Sequence, residues 1–225
     1  MNATRATAIA IATTLVLSAA VSTAQPVAAS GGSARSSGLE TGTRSSRPTV
    51  QVSDLALPPS AELPGATVFA ENGEQVALVE EALARFAAAG FDLPHVTIHL
   101  HADRSKCAGS SGVPSNGYYT TRGDENIVHT CGSPAVLYHE LGHVWDKHAL
   151  DDKTRNAIME QRGLESWSHE VWKQACGEHL ASIIAWALEG SYPHAIGYFT
   201  LEGLDATYRL ATGNQAPFMV EHGLA

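Results

Sequence analysis

The stretch His139-Glu140-Leu141-Gly142-His143 lies inside an apolar run and has the length of a little more than one helical turn. On a helix, two imidazoles four residues apart share a face and lie roughly 6 Å from each other, which suits two ligands of a single Zn²⁺. The carboxylate between them is placed to act as a general base that activates a water molecule. The pattern therefore predicts a zinc site built on a helix.

The residues around the motif predict a helix with a defined start and an apolar back. Ser133 is a good N-cap, and Pro134 suits the first helical position. Leu137, Leu141 and Val144 fall on sides of the helical wheel away from the two imidazoles. A helix of this kind can bury its apolar side while it presents its ionisable stripe to a metal.

A catalytic zinc site usually has three protein ligands and one open position, so a third ligand is needed. Glu178 is the favoured candidate, because small residues such as Ala181 follow it on the same helical face and would let its helix approach the motif helix closely. His179, about 100° away on the wheel, and Asp205 are the alternatives. The sequence leaves the choice among these three open.

Further side chains are candidates for supporting roles. Asp146 lies one turn beyond His143 and could hydrogen-bond a ligand imidazole. Stabilisation of an oxyanion would need a tyrosine or histidine donor. The candidates for that role are Tyr192, His194, Tyr198 and Tyr208.

The hydrophobic periodicity predicts the order of the elements in the domain. Helices are expected over residues 75–89, 151–161 and about 169–188, besides the motif helix, and strands over 95–101, 118–121 and 126–130. A helix, a small sheet, the motif helix and later helices, in that order, predict an α+β fold with a small mixed sheet beside the motif helix.

The first third of the chain is poor in core-forming residues. Residues 1–24 have the pattern of a secretory signal, with Arg5 before an apolar stretch and small residues at the cleavage position. Residues 25–65 are rich in Ser, Gly, Pro and Thr, which predicts a flexible leader or a pro-segment. The domain is expected over 66–225. No later segment is long enough to span a membrane, so no stable anchor is expected after signal cleavage.

The charge of the chain excludes one class of partner. The formal net charge is −9 at pH 7, and beyond the leader acidic side chains outnumber basic ones about two to one. Nucleic-acid binding depends on neutralising phosphates with lysine and arginine, so we expect no nucleic-acid partner.

Three cysteines are present in a chain predicted to be exported, where paired thiols oxidise. Cys107 and Cys131 each lie in a polar, Gly/Ser-rich stretch beside a predicted strand, and we expect them to form a disulfide. In the chain-entropy model a bridge of this span contributes roughly 3 kcal/mol. Cys176 is left without a partner.

The run from His139 to Asp146, followed about 35 residues later by a helix with Glu178 and Ala181, resembles the gluzincin branch of the zincin metallopeptidases. It is similar in particular to small secreted bacterial proteins of that branch, and the resemblance covers roughly residues 66–190. It implies a zincin-like fold, zinc held by His139, His143 and Glu178, Glu140 as general base, and a peptide or protein substrate.

The resemblance also implies that a strand edge holds the substrate backbone, with residues 118–121 or 126–130 in that role. Two other functions stay open. The chain could be a secreted binding or structural protein that keeps the zinc fold without activity, or a zinc amidase that acts on cell-wall peptides.

Overall fold

The structure is a computed structural model that describes residues 60–107, 115–131, 133–190 and 199–224. In this part of the chain, one small mixed sheet and six helices form an α+β fold, which confirms the predicted class. The predicted signal segment and the predicted leader up to residue 59 lie outside the described residues.

Five strands form the sheet: β1 (Ala61–Leu63), β2 (Ala66–Phe69), β3 (Val96–Leu100), β4 (Gly117–Arg122) and β5 (Glu125–Thr130). Their order is β1-β2-β3-β5-β4, with β2, β3 and β5 parallel and with β1 and β4 antiparallel to their neighbours. β4 is therefore an edge strand, whereas β5 is paired on both sides. β1 lies within the predicted leader, so the sheet begins before residue 66.

The helices are α1 (Gly73–Ala88), α2 (Pro134–Ala149), α3 (Asp152–Arg162), α4 (Cys176–Glu189), α5 (Leu201–Thr212) and α6 (Pro217–Glu221). α2 is the motif helix, and it starts at Pro134 as predicted. The Asn72 side chain caps α1 by accepting from the Gln75 amide, and Asp151 caps α3 by accepting from that of Thr154.

The fourth helix begins later than its pattern predicts, at Cys176 rather than near His169. The preceding residues form a loop with a short 3₁₀ turn at Trp172–Gln174. A β-bridge between Ser166 and Ala175 closes this loop at its base. Residues 168–174 are all exposed, so a helix there would bury no apolar face, and the chain instead satisfies its backbone groups in the loop.

The core lies between the sheet and the helices. Val68, Ile98 and Val128 stand opposite one another on β2, β3 and β5 and are fully buried. They belong to one continuous cluster with Phe86 of α1 and Leu141 of α2. This packing fixes the motif helix on one face of the sheet and turns its polar stripe away from the core.

α4 is the most deeply buried helix. Every residue from His179 to Leu188 is buried, and the helix contacts α2, α3, α5 and α6. Its closest neighbour is α2, where a Cβ added at Gly142 would lie 3.1 Å from the Cα of Ala181. The glycine inside the motif therefore permits an approach that a side chain would obstruct.

The predicted disulfide between Cys107 and Cys131 is confirmed, with a Cα–Cα distance of 6.0 Å. It joins the 3₁₀ turn after β3 to the residue that follows β5. Cys176 is free and buried, and burial raises the pKa of its thiol to about 11. Among the described residues, no helix has both the length and the apolarity that a membrane crossing requires.

The contact between α2 and α4 predicts that Gly142→Ala destabilises the protein. In an exposed helix this substitution would add about 1 kcal/mol of stability, but here the new methyl meets the backbone of Ala181. We expect a net loss of about 1–3 kcal/mol in the free energy of unfolding, measured by urea denaturation. Because α4 carries Glu178, we also expect the predicted metal site to bind its ion more weakly.

Gly73→Ala is the matched control, since a Cβ at this helix start meets nothing within 4 Å. Its free energy of unfolding should be unchanged or slightly higher. If Gly142→Ala behaved like the control, the close approach of the two helices would be refuted.

Candidate metal centre

Three of the predicted ligands meet at one point. His139 and His143 lie one turn apart on α2, and Glu178 lies in the first turn of α4. The Nε2 atoms of the two imidazoles are 3.1 Å apart. Oε2 of Glu178 is 3.0 Å from Nε2 of His139 and 3.3 Å from Nε2 of His143. Glu178 is thus brought to the histidine pair, as predicted.

The distances fit one small metal ion. Ligand atoms bonded at about 2.1 Å to a single tetrahedral ion lie about 3.4 Å from one another, close to the three separations found here. The two imidazole planes are 88° apart, so their Nε2 atoms converge from different directions. Among the described residues, this is the one group of three side chains whose potential metal-binding atoms converge in this way. Two imidazoles and a carboxylate can therefore bind a metal ion here.

The two imidazoles and the Glu178 carboxylate shift one another's pKa values. Burial alone would raise the pKa of Glu178, but the hydrogen bonds and charges of His139 and His143 hold it well below its usual range. Burial alone would lower the pKa of His143, but the hydrogen bond and charge of Glu178 outweigh it, so that this pKa is raised. Without a metal, the carboxylate is ionised and stabilises a proton on the imidazole.

Glu140 lies beside the three ligands and is buried, with 6% of its surface exposed. Burial raises the pKa of its carboxyl, although the two histidines and the backbone amide of Tyr119 act in the opposite direction. A Cβ added at Gly117 would lie 3.0 Å from Oε1 of Glu140, so the carboxylate rests directly against β4. The predicted general base thus lies between the histidine pair and the edge strand.

Ser182 supports His139, one of the predicted ligands, and this contact is not among the sequence predictions. Its hydroxyl lies 3.2 Å from Nδ1 of His139, which leaves the Nε2 of that ring directed at the cluster. Such a contact fixes the orientation and tautomer of a ligand imidazole. The signal was present in the sequence, because Ser182 follows Glu178 by four residues and shares its helical face.

Asp146 does not form the predicted contact with a ligand imidazole. Its Oδ1 lies 3.2 Å from Nε of Arg155, and its Oδ2 accepts the indole N–H of Trp167 at 2.9 Å. Both carboxylate oxygens are therefore used to tie α2 to α3 and to the loop before α4. Position on the helical wheel alone did not reveal these partners.

The two alternative ligands lie outside the cluster. His179 contacts Arg162 through Nδ1 and the backbone oxygen of Lys173 through Nε2. Asp205 forms an ion pair of 2.6 Å with Arg209 and accepts the amide N–H of Ala216. Both side chains have structural partners, which leaves Glu178 as the third member of the group.

The loop between α3 and α4 adds two tryptophans to the surroundings of the site. The indole N–H of Trp172 donates to Oε2 of Glu178, the same oxygen that faces the imidazoles. The sequence does not predict this contact, because it depends on a non-helical loop that no local periodicity indicates. A cavity of about 290 Å³ lies beside the cluster, lined by residues that include Tyr119, His143 and Trp167.

Of the predicted oxyanion donors, Tyr192, His194 and Tyr198 lie outside the described residues. Tyr208 is fully buried in the core, where its ring packs 6.0 Å from that of Phe91. It is therefore not available to a substrate.

A second group of imidazoles lies on the sheet face opposite the helices. Phe69, His99, His129 and Tyr118 stack across four strands, with neighbouring ring centres 4.5–4.6 Å apart. Burial and the neighbouring imidazoles lower the pKa of His129 to about 4. Nε2 of His101 lies 3.1 Å from Nδ1 of His129. Within the described part of the chain, no third metal-binding atom joins this pair.

Removing Glu178, the third predicted ligand, should abolish tight metal binding at this cluster, with Zn²⁺ as the probe. For Glu178→Ala we expect the dissociation constant for Zn²⁺, measured by competition with a chelator, to rise at least about 100-fold. Asp205→Asn is the control, because this residue belongs to the competing prediction and lies in a structural ion pair. Full zinc occupancy in Glu178→Ala, or its loss in Asp205→Asn, would contradict the assignment.

Zinc affinity should depend on pH through His143. A proton and a metal compete for the same imidazole nitrogen, so affinity falls as the pH drops below the pKa of the ligand. Because Glu178 raises the pKa of His143, the loss should begin above pH 6.5, while the Glu178 carboxylate stays ionised. Calorimetric titration with Zn²⁺ from about pH 8.5 to about 5.5 tests this, and constant affinity down to about pH 6 would contradict it.

No protein-family model matches the chain, and neither a curated protein nor a solved structure matches it. The assignment of the site therefore rests on the geometry of its own residues.

Proposed function

We propose that the protein is an exported zinc-dependent peptidase, in which His139, His143 and Glu178 hold the metal and Glu140 is the general base. The observation that carries the proposal is the convergence of three potential ligand atoms within 3.3 Å of one another, next to a buried carboxylate on the helix that carries the two imidazoles. Two imidazoles and one carboxylate, with a position left open, form a ligand set used by catalytic zinc.

Bound at this site, zinc would supply Lewis acidity to a carbonyl group and lower the pKa of a water molecule. The residues of the chain would perform the proton transfers. Glu140 takes a proton from the attacking water and returns it to the leaving amine. Ser182 holds His139 in the orientation that directs Nε2 to the point where the three potential ligand atoms converge.

The substrate would bind along β4. β4 is the edge strand next to Glu140, and among the described residues no strand pairs with its outer side. An extended peptide could pair there, next to the Tyr119 amide that bonds to Glu140. β5, the other predicted strand for this role, is paired with β3 and β4 and has no free edge. The cavity beside the cluster has room for one substrate side chain.

Two features support an extracellular site of action. The disulfide between Cys107 and Cys131 is of the kind that persists in oxidising compartments. The signal-like pattern of residues 1–24 points the same way. The protein would therefore meet its peptide or protein substrate after export.

The substitution Glu140→Gln tests the mechanism. Gln has nearly the same shape but cannot accept the proton, so we expect hydrolysis of a fluorogenic peptide library to fall by about 10²–10⁴-fold while zinc stays bound. Glu160→Gln is the control, because this glutamate is exposed on α3. Unchanged hydrolysis in Glu140→Gln would exclude Glu140 as the base.

Zinc binding, together with hydrolysis assays on the peptide library and on peptidoglycan stem peptides, separates the rival functions. A protein that binds zinc but cleaves neither the library nor peptidoglycan stem peptides would be a binding protein on a zinc fold. Cleavage of the stem peptides alone would indicate a cell-wall amidase.

A further inference from the structure

The carboxylate of Glu178 makes all its contacts through one oxygen. Nε2 of His139, Nε2 of His143 and the indole N–H of Trp172 all lie at Oε2. Within the described part of the chain, Oε1 has no such contact. The side chain therefore presents a single oxygen to the place where the two imidazoles converge.

Backbone hydrogen bonds fix the base of the loop that carries Trp172. The amide of Cys176 donates to the backbone oxygen of Ser166, and that of Gly177 donates to the backbone oxygen of Trp167, each at 3.0 Å. These hydrogen bonds tie the base of the loop to the first turn of α4, the turn that contains Glu178. The amide of Ala175 also donates to the backbone oxygen of Trp172 at 3.1 Å, so backbone hydrogen bonds link Trp172 itself to the start of α4.

The loop also packs tightly against that turn. A Cβ added at Gly177 would lie 3.1 Å from Nε1 of Trp167. Trp167 donates its own indole N–H to Asp146, so both tryptophans of the loop are bound to carboxylates around the site. The loop is therefore anchored on both sides of the cluster, at α2 through Asp146 and at α4 through Glu178.

Burial does not explain the position of Trp172. Its side chain keeps 38% of its surface exposed, although a tryptophan gains most when it is covered. Its ring centre lies 6.3 Å from that of His139, at the rim of the cluster. The polar contact through its N–H is the interaction that fixes the ring there.

We propose that Trp172 is a positioning residue that makes Glu178 a one-oxygen ligand and thereby leaves room at the metal for a water molecule. A carboxylate that is free to turn can offer both oxygens to a metal. The indole N–H donates to the same oxygen that faces the imidazoles, and this hydrogen bond opposes the rotation. This inference rests on the metal centre of the proposed function, and it adds the residue that controls how the carboxylate binds.

Trp172→Phe tests the inference, because phenylalanine keeps an aromatic ring and removes the N–H donor. We expect the dissociation constant for Zn²⁺ to rise by about 10-fold, the usual effect of losing a hydrogen bond to a ligand. In the Co²⁺-substituted protein, the visible absorption should weaken as the coordination number rises above four. A purely structural role for the ring would leave this spectrum unchanged.

Two further variants complete the experiment. Benzothienylalanine at position 172 has the shape of tryptophan without the N–H, so it tests the loss of the hydrogen bond even if Trp172→Phe folds poorly. We expect its Co²⁺ spectrum to show the same weakening. Val171→Ala is the control, since this neighbour on the same loop is 51% exposed, and it should match the wild type. Wild-type spectra and zinc affinities in both variants that lack the N–H would overturn the inference.

The outcome is independent of catalysis. If the wild-type protein binds Zn²⁺ and Co²⁺ but cleaves no peptide, the proposed peptidase fails while the spectra still decide the role of Trp172. If the wild type binds neither ion, both proposals are overturned.

Discussion

The close packing of α2 against α4 is the constraint on which the site depends. Gly142 lies between the two histidines of the motif, and at this point the backbone of α2 meets Ala181 of α4. A helix pair separated by one more methyl group would move Glu178 away from the imidazoles. The same five-residue motif thus supplies two potential ligands, the proposed base and the space that admits the third ligand.

The pKa values of two neighbouring carboxyls are shifted in opposite directions. Glu178 faces two imidazoles and is held in its ionised form, whereas burial against β4 raises the pKa of Glu140. A metal ligand must stay deprotonated, while a proton carrier must gain and lose a proton readily. The difference arises because only Glu178 makes direct hydrogen bonds to the imidazoles, so the environment separates the roles that the proposed chemistry requires.

Much of the site could be predicted because its signals are local. The spacing of His139 and His143 fixes their common face, and the small residues after Glu178 indicate a helix that can approach another closely. Asp146 was assigned a different partner, because a helical wheel shows direction but not the competing donors of Arg155 and of the loop. Trp172 could not be predicted, since its contact arises from a loop whose shape depends on distant backbone hydrogen bonds.

The two helices that carry the ligands are joined through a long stretch of chain that includes α3 and the tryptophan loop. An ion bound to both would bind the native state far better than the unfolded one, so it would act as a removable cross-link. Stability would then rise with the logarithm of the free metal concentration above the dissociation constant. If the protein acts outside the cell, as we propose, the free metal concentration there would set the folded fraction as well as the proposed activity.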